Sequence, residues 1–383
     1  MSEKNHYIEV QSSEEQKLRE MLAHKNDADS KRLVRFLSLP DLSRDPSSPL
    51  SELVSRIKKI ERFSHFDEIK APEIVRADIS FDLFNFSPDH PARKSTDTYF
   101  IDEEYILRTH TTVMWYYYLH DEAIKEKIRN KESVGSLSYG KVYRKDEIDR
   151  NHMNVFHQID GWYLTPKSEK VITADDLKEV LIEIAHAVFG NNVVYRINPD
   201  TFPYTNPSLE MEVQIDGRWV EVLGSGVVQG NVLERLGVDP AVYNGWAFGF
   251  GLERLAIISM TLPDIRLLWS DDPRIKKQLR LGNVYVPVSK YPPITRDISF
   301  VVSDDFIPNN YFDLIRDLGG ELVEEVKLVD KYENPEKFGA RKTSYTYRII
   351  YRSNDRTLLS GEVDSIQKKI YEETAKQFHA ELR

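Results

Sequence analysis

The sequence has no cysteine and no long apolar run, and these two absences exclude several classes of protein. A chain of 383 residues without cysteine cannot form a disulfide framework, a thiolate metal site or a thiol nucleophile. No apolar stretch approaches the ~20 residues that a helix needs to cross a bilayer, so a membrane span is excluded. The N-terminal stretch MSEKNHYIEVQSSEEQ is acidic where a secretory signal would be apolar and where a transit peptide would avoid acids, so we expect no targeting segment in it.

Basic side chains are outnumbered by acidic ones, 52 to 62. The net charge of −10 argues against a protein whose whole surface coats nucleic acid, because such proteins are usually basic. A local basic patch is still compatible with it, since residues 337–356 contain six basic side chains against one acid, Asp355. We therefore expect any contact with nucleic acid to be confined to a small part of the chain.

The chain is long enough for two or three domains at ~150 residues each. Residues 174–189 repeat apolar side chains at helical spacing, with Thr173 as a capping residue and Gly190 as the stop, which predicts a helix. Residues 208–224 alternate with a period of two, which predicts antiparallel strands. A proline-rich stretch near residue 290 then precedes a pattern of strand, helix, strand, strand, helix, which is typical of a small α+β domain.

Two glutamates are predicted to face each other in the central hairpin. With Asp216-Gly217 as a two-residue turn, counting back places Glu212 opposite Glu221. Like charges in this position cost up to ~1 kcal/mol, so we expect a positive group beside them. This positive group could be Mg²⁺, which prefers one or two carboxylates together with substrate phosphates, and the hairpin would then be part of a nucleotide site. A solvated strand face, or an arginine that neutralises the pair, is the alternative.

The remaining residues of the first hairpin strand alternate with these acids and are apolar. They are expected to form the buried face of the sheet: Leu209, Met211, Val213 and Ile215.

Several segments together resemble one family. Residues 140–161 (GKVYRKDEIDRNHMNVFHQIDG) resemble motif 2 of the class II phenylalanyl-tRNA synthetases, and residues 245–256 (GWAFGFGLERLA) resemble their motif 3. Segments similar to motif 1, to the amino-group-binding segment and to the substrate-pocket strands follow the family order: 81–93, 107–112, 201–208 and 219–226. The C-terminal runs 311–330 and 345–357 resemble the ferredoxin-fold anticodon-binding domain of single-chain organellar members. A lone GLER would be a weak signal, whereas ordered motifs are specific.

The resemblance implies an α+β fold, with a class II synthetase antiparallel sheet flanked by helices and a C-terminal ferredoxin-like α+β domain. It also gives the domains their expected roles. The expected division is an N-terminal extension of unknown role at 1–70, a catalytic domain at 71–283, a linker at 284–290 and an anticodon-binding domain at 291–383.

Formation of an aminoacyl adenylate brings a carboxylate to the α-phosphate of ATP, so fixed cations must hold the growing charge. Arginine suits this task, because its planar fork binds phosphate in two places and stays charged. The resemblance implies that Arg144 holds the α-phosphate and Arg254 the distal phosphates, that adenine stacks on Phe156, and that His152 reaches a phosphate. Mg²⁺ would be held near the two glutamates of the hairpin. The substrates supply the nucleophiles, so we expect no covalent catalyst from the protein.

The amino-acid pocket is expected to be aromatic. Phe202 and Tyr204 alternate on one strand face, where both rings can meet a substrate ring, and the small Ala247 leaves room for a phenyl group. The resemblance implies that the ammonium and carboxylate groups of the substrate are bound by His110, Thr112, Gln158 and Asp160. Three of these pocket residues depart from the common family pattern: Tyr204 replaces Phe, Thr112 replaces Ser, and Asp160 replaces Glu.

In the C-terminal domain, Arg348 and Arg352 lie on one face of a strand whose other face is aromatic. Arginines near aromatic rings suit single-stranded RNA loops, although an amphipathic strand with a solvated basic face is the alternative. The resemblance implies that these two arginines contact the anticodon of the tRNA.

Together these features predict a phenylalanine–tRNA ligase that uses ATP, Mg²⁺, L-phenylalanine and tRNA(Phe). We expect a monomer without a separate beta subunit, in the cytoplasm or alternatively in the mitochondrial or plastid matrix after processing. Two other functions stay open. One is an adenylating paralogue that takes another aromatic amino acid or a non-tRNA acceptor, and the other is a non-catalytic tRNA-binding protein.

Overall fold

An eight-stranded sheet organises the larger of two units, Met1–Tyr285. The computed structural model describes residues 6–145, 150–215, 217–353 and 355–383. The strands of the larger unit are β1 (Tyr7–Glu9), β2 (Asp67–Lys70), β3 (Ile74–Arg76), β4 (Tyr105–Leu107), β5 (Val134–Tyr143), β6 (Val155–Pro166), β7 (Tyr195–Phe202), β8 (Thr205–Ile215), β9 (Arg218–Val228) and β10 (Tyr243–Gly251). The sheet order is β1-β2-β5-β6-β10-β9-β8-β7, and β3 pairs with β4 in a separate ribbon. In the eight-stranded sheet, every neighbouring pair in the run β5-β6-β10-β9-β8-β7 is antiparallel, as the family resemblance implied.

Helices accompany this sheet along the chain. They are α1 (Ser13–His24), α2 (Ala28–Ser38), α3 (Pro49–Lys58), α4 (Ala77–Ser80), α5 (Met114–His120), α6 (Glu122–Arg129), α7 (Ala174–Phe189), α8 (Gly230–Arg235), α9 (Leu252–Met260) and α10 (Pro273–Lys276). The expected limits of α7 are confirmed: Thr173 and Asp176 form a capping box, and Gly190 follows the last turn with φ 86°. In the part of the chain that the structure describes, no helix combines the length and apolar character needed to span a bilayer.

The register of the β8–β9 hairpin also agrees with the sequence count. Glu212 pairs with Glu221, and Val213 pairs with Val220. Asp216 of the expected turn lies outside the described residues, whereas Gly217 has φ 76°, in the left-handed region. The alternate face is apolar as expected: Leu209, Met211 and Val213 are buried and Ile215 is half-buried.

Residues 1–70, which we expected to be an extension, contribute to the same unit as the cavity described below. β1 runs parallel to β2, and β2 runs parallel to β5, so both strands extend one edge of the sheet. Leu33 and Phe36 of α2 pack in one apolar cluster with Tyr143 and Val155 of the central strands. The N-terminal segment thus covers strands that carry predicted site residues.

The second unit, Val286–Arg383, begins inside the expected linker. Its elements are β11 (Ile294–Ser303), α11 (Pro308–Gly319), β12 (Val323–Glu333), α12 (Pro335–Phe338), β13 (Lys342–Tyr351), α13 (Ser360–Gln377) and β14 (Glu381–Leu382). The sheet order is β12-β13-β11-β14. Phe300, Tyr347 and Ile349 from the sheet pack with Tyr311 and Ile370 from the two long helices. The predicted α+β pattern is confirmed, with α12 and β14 as additions.

Candidate active site

A cavity of about 900 Å³ lies over the middle of the large sheet. The predicted site residues that line it are His110, Thr112, Arg144, His152, Phe156, Gln158, Asp160, Phe202, Tyr204, Glu221, Ala247 and Arg254. Among the described residues of the larger unit, Glu212 is the predicted ligand that does not line it. The sequence motifs that carry these residues extend from His110 to Arg254 along the chain and converge on one space.

Two guanidinium groups lie on the wall of this cavity. Arg144 directly follows β5, its Nε donates to the carbonyl oxygen of Thr109 at 2.9 Å, and its guanidinium carbon is 5.3 Å from the centroid of the Phe156 ring. Arg254 lies in the first turn of α9 and donates from Nη1 to the carbonyl oxygen of Glu221 at 3.0 Å. Both cations are mounted at ends of regular elements, where a long side chain can reach into a cleft.

The carboxylate pair of the hairpin is divided between two environments. Glu212 accepts hydrogen bonds from Nε of Arg196 and from Nδ2 of Asn198, the latter at 2.6 Å. The hydrogen bond from Arg196 is the main cause that lowers the pKa of Glu212. The positive group that we expected beside Glu212 is therefore Arg196 of the neighbouring strand β7. An arginine in this place was the alternative to a metal ion.

Glu221 remains at the cavity. Its Oε2 is 3.9 Å from Nη1 of Arg254, and about half of its side chain is exposed. Within the described parts of the chain, no cluster of three or more acidic or histidine side chains could hold a metal by itself. Of the two predicted metal ligands, Glu221 lines the cavity, whereas Glu212 is bound to Arg196. One carboxylate together with substrate phosphates is a ligand set that suits Mg²⁺.

The other end of the cavity is polar at its base. His110 is buried, its ring stacks on Phe86 with centroids 5.9 Å apart, and its Nε2 is 3.0 Å from the carbonyl oxygen of Ser80. A carbonyl only accepts, so Nε2 carries the proton and Nδ1 is an acceptor. Burial, with the charge of Arg144, lowers the pKa of His110 to about 4, so the ring is neutral near pH 7. Nδ1 is a buried acceptor with no hydrogen-bond partner in the described structure.

Asp160 is the acid of this polar end. The hydroxyls of Thr111 and Thr112 both donate to its Oδ2, the second at 3.3 Å. Burial raises the pKa of Asp160 to about 7, because desolvation disfavours the charged form. Gln158, two residues earlier on β6, accepts from the backbone N–H of Thr111 at 3.4 Å. A short 3-10 turn, Thr111–Val113, therefore holds the acid and the amide together.

Aromatic rings form the wall between the two ends. Phe202 and Tyr204 are stacked, with centroids 6.2 Å apart, and Tyr204 meets Trp115 edge to face at 6.0 Å. The Tyr204 hydroxyl has a hydrogen-bond partner in Thr112, while burial and the neighbouring Asp160 raise its pKa above the usual value. Ala247 is buried on β10 opposite Gly226. Two small residues thus leave space next to the rings.

Two functional positions were missed from the sequence. Thr111 was not among the predicted site residues, because its bond to Asp160 spans 49 residues of chain and leaves no local pattern. Gly249 is the second: a Cβ there would lie 1.9 Å from Oδ1 of Asp160, so only glycine leaves room for the acid. A glycine inside a strand pattern signals close approach, and this signal in GWAFGFG could have found it.

In the second unit, the two predicted tRNA contacts have acidic partners. Arg348 donates from Nε and Nη2 to the two carboxylate oxygens of Asp297, both at 2.8 Å, and remains about half exposed. Arg352 bonds to Glu324 at 2.9 Å and to the carbonyl of Tyr291, and only 13% of its side chain is exposed. The burial of Arg352 therefore does not favour direct contact with RNA.

An aromatic cluster lies elsewhere on this unit, with Tyr332 exposed and Phe338 half-buried. The rings of Tyr332 and Phe338 meet edge to face at 6.1 Å. The Phe338 ring also has Nζ of Lys337 at 5.5 Å and the guanidinium carbon of Arg383 at 5.2 Å from its centroid. An aromatic surface with two cations has the chemistry that stacks bases and binds phosphates. We call these four residues the aromatic–cation cluster.

Comparison with known proteins agrees with this geometry. Residues 37–279 match the family described as tRNA synthetases class II core domain (F), and residues 289–383 match the ferredoxin-fold anticodon binding domain. The chain is 39% identical over 333 residues to the chloroplastic/mitochondrial phenylalanine–tRNA ligase of Arabidopsis thaliana, covering 84% of this chain and 73% of that protein. It is 35% identical to the mitochondrial enzyme of Mus musculus, covering 81% and 73%. An alpha subunit from Caldicellulosiruptor bescii is 35% identical, covering 60% and 68%.

Proposed function

We propose that the cavity of this chain activates L-phenylalanine with ATP and transfers it to the 3′-terminal ribose of tRNA(Phe). The premise is the family: the chain belongs to the class II tRNA synthetases and, among them, to the single-chain phenylalanine–tRNA ligases. The observation that carries this proposal is the single cavity of about 900 Å³, with two guanidinium groups at one end and an aromatic recess with a polar base at the other. A triphosphate and an aromatic amino acid fit these two ends.

In the first step, a carboxylate oxygen of phenylalanine bonds to the α-phosphorus of ATP, and the bond from that phosphorus to the bridging oxygen breaks as pyrophosphate leaves. Arg144 is proposed to bind the α-phosphate and Arg254 the distal phosphates, so that charge developing in the transition state meets fixed cations. Phe156, beside Arg144, offers a face for the adenine ring. His152 lines the same end of the cavity and is proposed to contact a phosphate.

Mg²⁺, when bound, would supply further positive charge to the pyrophosphate leaving group. Glu221 is the carboxylate placed to hold it, together with phosphate oxygens. We propose that Glu212 supports the sheet and does not bind Mg²⁺, because it is bound to Arg196 of the neighbouring strand β7.

The polar end of the cavity suits the ammonium group of the amino acid. Nδ1 of His110 is a neutral acceptor, and Asp160 can offer a carboxylate. A bound ammonium would lower the pKa of Asp160, because an opposite charge favours the ionised form. Thr112 and Gln158 complete the set of polar groups.

In the second step, a ribose hydroxyl at the tRNA end attacks the carbonyl carbon of the adenylate, and AMP leaves. The substrates supply both nucleophiles, so the protein needs only to bind, orient and neutralise them. For the tRNA, Arg348 and the aromatic–cation cluster are the proposed contacts in the second unit, because Arg348 is about half exposed and the cluster combines aromatic rings with cations.

The assembly and the compartment follow from the relatives. Single-chain relatives carry the name mitochondrial or chloroplastic, which favours the organelle-matrix alternative and gives no support to the cytoplasmic expectation. An anticodon domain fused to the catalytic unit makes a separate subunit for tRNA binding unnecessary. We therefore propose a monomer that acts in an organelle matrix.

Amino-acid-dependent exchange of pyrophosphate into ATP, measured with each of the twenty amino acids, tests the proposal. We expect exchange with phenylalanine and much weaker exchange with tyrosine, which has to fit its hydroxyl beside Ala247. Stronger exchange with another amino acid would indicate the adenylating paralogue. Absence of exchange with retained tRNA binding would indicate the non-catalytic alternative.

A further inference from the structure

A histidine beneath the cavity connects the N-terminal segment with the first turn of α9. His157 is fully buried in β6. Its Nε2 is 3.0 Å from the backbone nitrogen of Leu42, and its Nδ1 is 2.7 Å from Oε1 of Glu253. A backbone N–H can only donate, so Nε2 is the acceptor and Nδ1 carries the proton that is donated to Glu253. Both ring nitrogens are therefore used to join two distant segments.

Glu253 completes the end of the sheet. β10 ends at Gly251, which pairs with Gln158, so the preceding residue on β6 has no strand partner on that side. Both carboxylate oxygens of Glu253 accept from the backbone N–H of His157 at 2.9 Å, which satisfies this buried donor. Glu253 also lies in the first turn of α9, where an acid is favoured by the helix dipole. The next residue is Arg254.

The N-terminal segment at the far end of this connection is itself fixed to the central strands. The buried Lys141 of β5 donates from Nζ to the carbonyl oxygens of Leu37 at 3.0 Å and Leu39 at 2.8 Å. Arg44 donates from Nη2 to the carbonyl oxygen of Tyr139 at 3.1 Å. Residues 37–44, which we call the buttress, are thus held by β5 at both ends and by His157 in the middle.

We infer that the buttress positions the ATP site by fixing His157, which in turn fixes Glu253 and the first turn of α9. The inference rests on the proposed function only in identifying the ligand as ATP. His157 lies between Phe156 and Gln158 on β6, and Glu253 lies beside Arg254. A shift of the ring therefore changes the distance between the stacking face for adenine and the guanidinium for the distal phosphates. A misplacement of ~1 Å at such a site can cost up to ~10²-fold in rate.

Two substitutions of the histidine separate the halves of the connection. His157→Asn keeps an amide near the position of Nδ1, so the bond to Glu253 can persist while the bond to Leu42 is lost. His157→Gln keeps an amide near the position of Nε2, so the bond to Leu42 can persist while the bond to Glu253 is lost. Arg44→Ala removes an anchor of the buttress from a partly exposed position and is expected to fold normally.

The primary measurement is calorimetric binding of a non-hydrolysable ATP analogue with Mg²⁺ to the full chain. The second is pyrophosphate exchange, with KM determined separately for ATP and for phenylalanine. We expect both His157 variants to weaken analogue binding and to raise the KM for ATP about tenfold. Arg44→Ala should have the same two effects, with a rise in the KM for ATP of about threefold. The KM for phenylalanine should change less than the KM for ATP, because the aromatic residues Phe202 and Tyr204 and the small Ala247 lie outside β6 and α9.

Arg56→Ala is the matched control. Arg56 of α3 donates to the carbonyl oxygen of Val188 in α7 at 3.3 Å, so it fixes the N-terminal segment to α7 and not to β5 or β6. This variant should lower the melting temperature without changing ATP binding. Wild-type ATP binding by folded His157→Asn and Arg44→Ala would overturn the inference, as would an equal loss of ATP binding in Arg56→Ala.

The failure of the proposed function would look different. A wild-type protein that binds the ATP analogue but shows no phenylalanine-dependent exchange would contradict the activity. The calorimetric comparison of the variants would still decide whether the buttress positions the nucleotide.

Discussion

Two pairs of arginines, one in each unit, were predicted to bind a substrate, ATP in the first unit and the anticodon of the tRNA in the second, and the structure places them in different surroundings. Arg144 and Arg254 donate to backbone carbonyl oxygens on the wall of a cavity. Arg348 and Arg352 donate to the carboxylates of Asp297 and Glu324 on neighbouring strands. The first pair is at the ends of elements, whereas Arg348 is inside a strand, where a cross-strand acid is within reach. Similar sequence signals therefore lead to different surroundings in the fold.

The acids of the two regions differ in the same way. Burial raises the pKa of Asp160 in the cavity to about 7. The hydrogen bond from Arg348 lowers the pKa of Asp297 on the strand. Desolvation is the largest effect on Asp160 and the hydrogen bond from Arg348 is the largest effect on Asp297, so the cavity keeps a carboxyl group that can respond to a ligand.

The largest expected effect sharpens the contrast between the arginines. Arg144→Ala should reduce phenylalanine-dependent pyrophosphate exchange by about 10²–10³-fold, because a fixed cation at the α-phosphate is lost from a water-poor site. Arg348→Ala is the control and should leave the exchange unchanged. An Arg144→Ala protein with wild-type exchange would show that the phosphate is bound elsewhere.

The pH dependence of substrate binding tests the contrast between the acids. The Asp160 carboxyl is ionised above its pKa of about 7 and neutral below it. Because the ammonium group prefers the ionised form, the KM for phenylalanine should rise by about tenfold per pH unit as the pH falls below 7. Steady-state exchange between pH 5.5 and 8.5 measures this, and Asp160→Asn should remove the dependence. A flat profile in the wild type would mean that Asp160 does not bind the ammonium.

The aromatic–cation cluster is expected to matter for tRNA alone. Phe338→Ala should weaken tRNA binding by about 1–3 kcal/mol, the usual value of a base stacked on an aromatic ring, and should spare pyrophosphate exchange. Filter binding and charging of tRNA(Phe) measure the loss. Leu359→Ala removes an exposed apolar side chain elsewhere on the same unit and provides the control. Equal losses in both variants would argue against stacking.

The smallest effect concerns Arg352. Its side chain is mostly buried against Glu324 and the Tyr291 carbonyl, so Arg352→Ala should cost about 1–2 kcal/mol of stability through lost hydrogen bonds. Denaturant unfolding should detect this cost, and the affinity of the folded variant for tRNA should be close to that of the wild type. A selective loss of tRNA binding without any loss of stability would restore the original prediction for this residue.

Local patterns in the sequence determined the elements. The limits of α7 follow from a cap, a helical apolar repeat and a stopping glycine, and the pairing of Glu212 with Glu221 follows from a two-residue turn and a period of two. Both are set by neighbours in the chain, so they were predictable from the residues alone. Most of the cavity lining was identified through ordered motifs that resemble one family.

Only the tertiary structure decided which polar groups meet. Glu212 is bound to Arg196 of the neighbouring strand. Thr111 donates a hydrogen bond to Asp160, 49 residues further along the chain, and the backbone nitrogen of Leu42 donates to His157, 115 residues further along. Such contacts depend on the path of the whole chain, because hydrogen bonds act over about 3 Å and carry no signature in local spacing. The sequence thus determined the strands, helices and types of side chain, and the fold determined the partner of each charge.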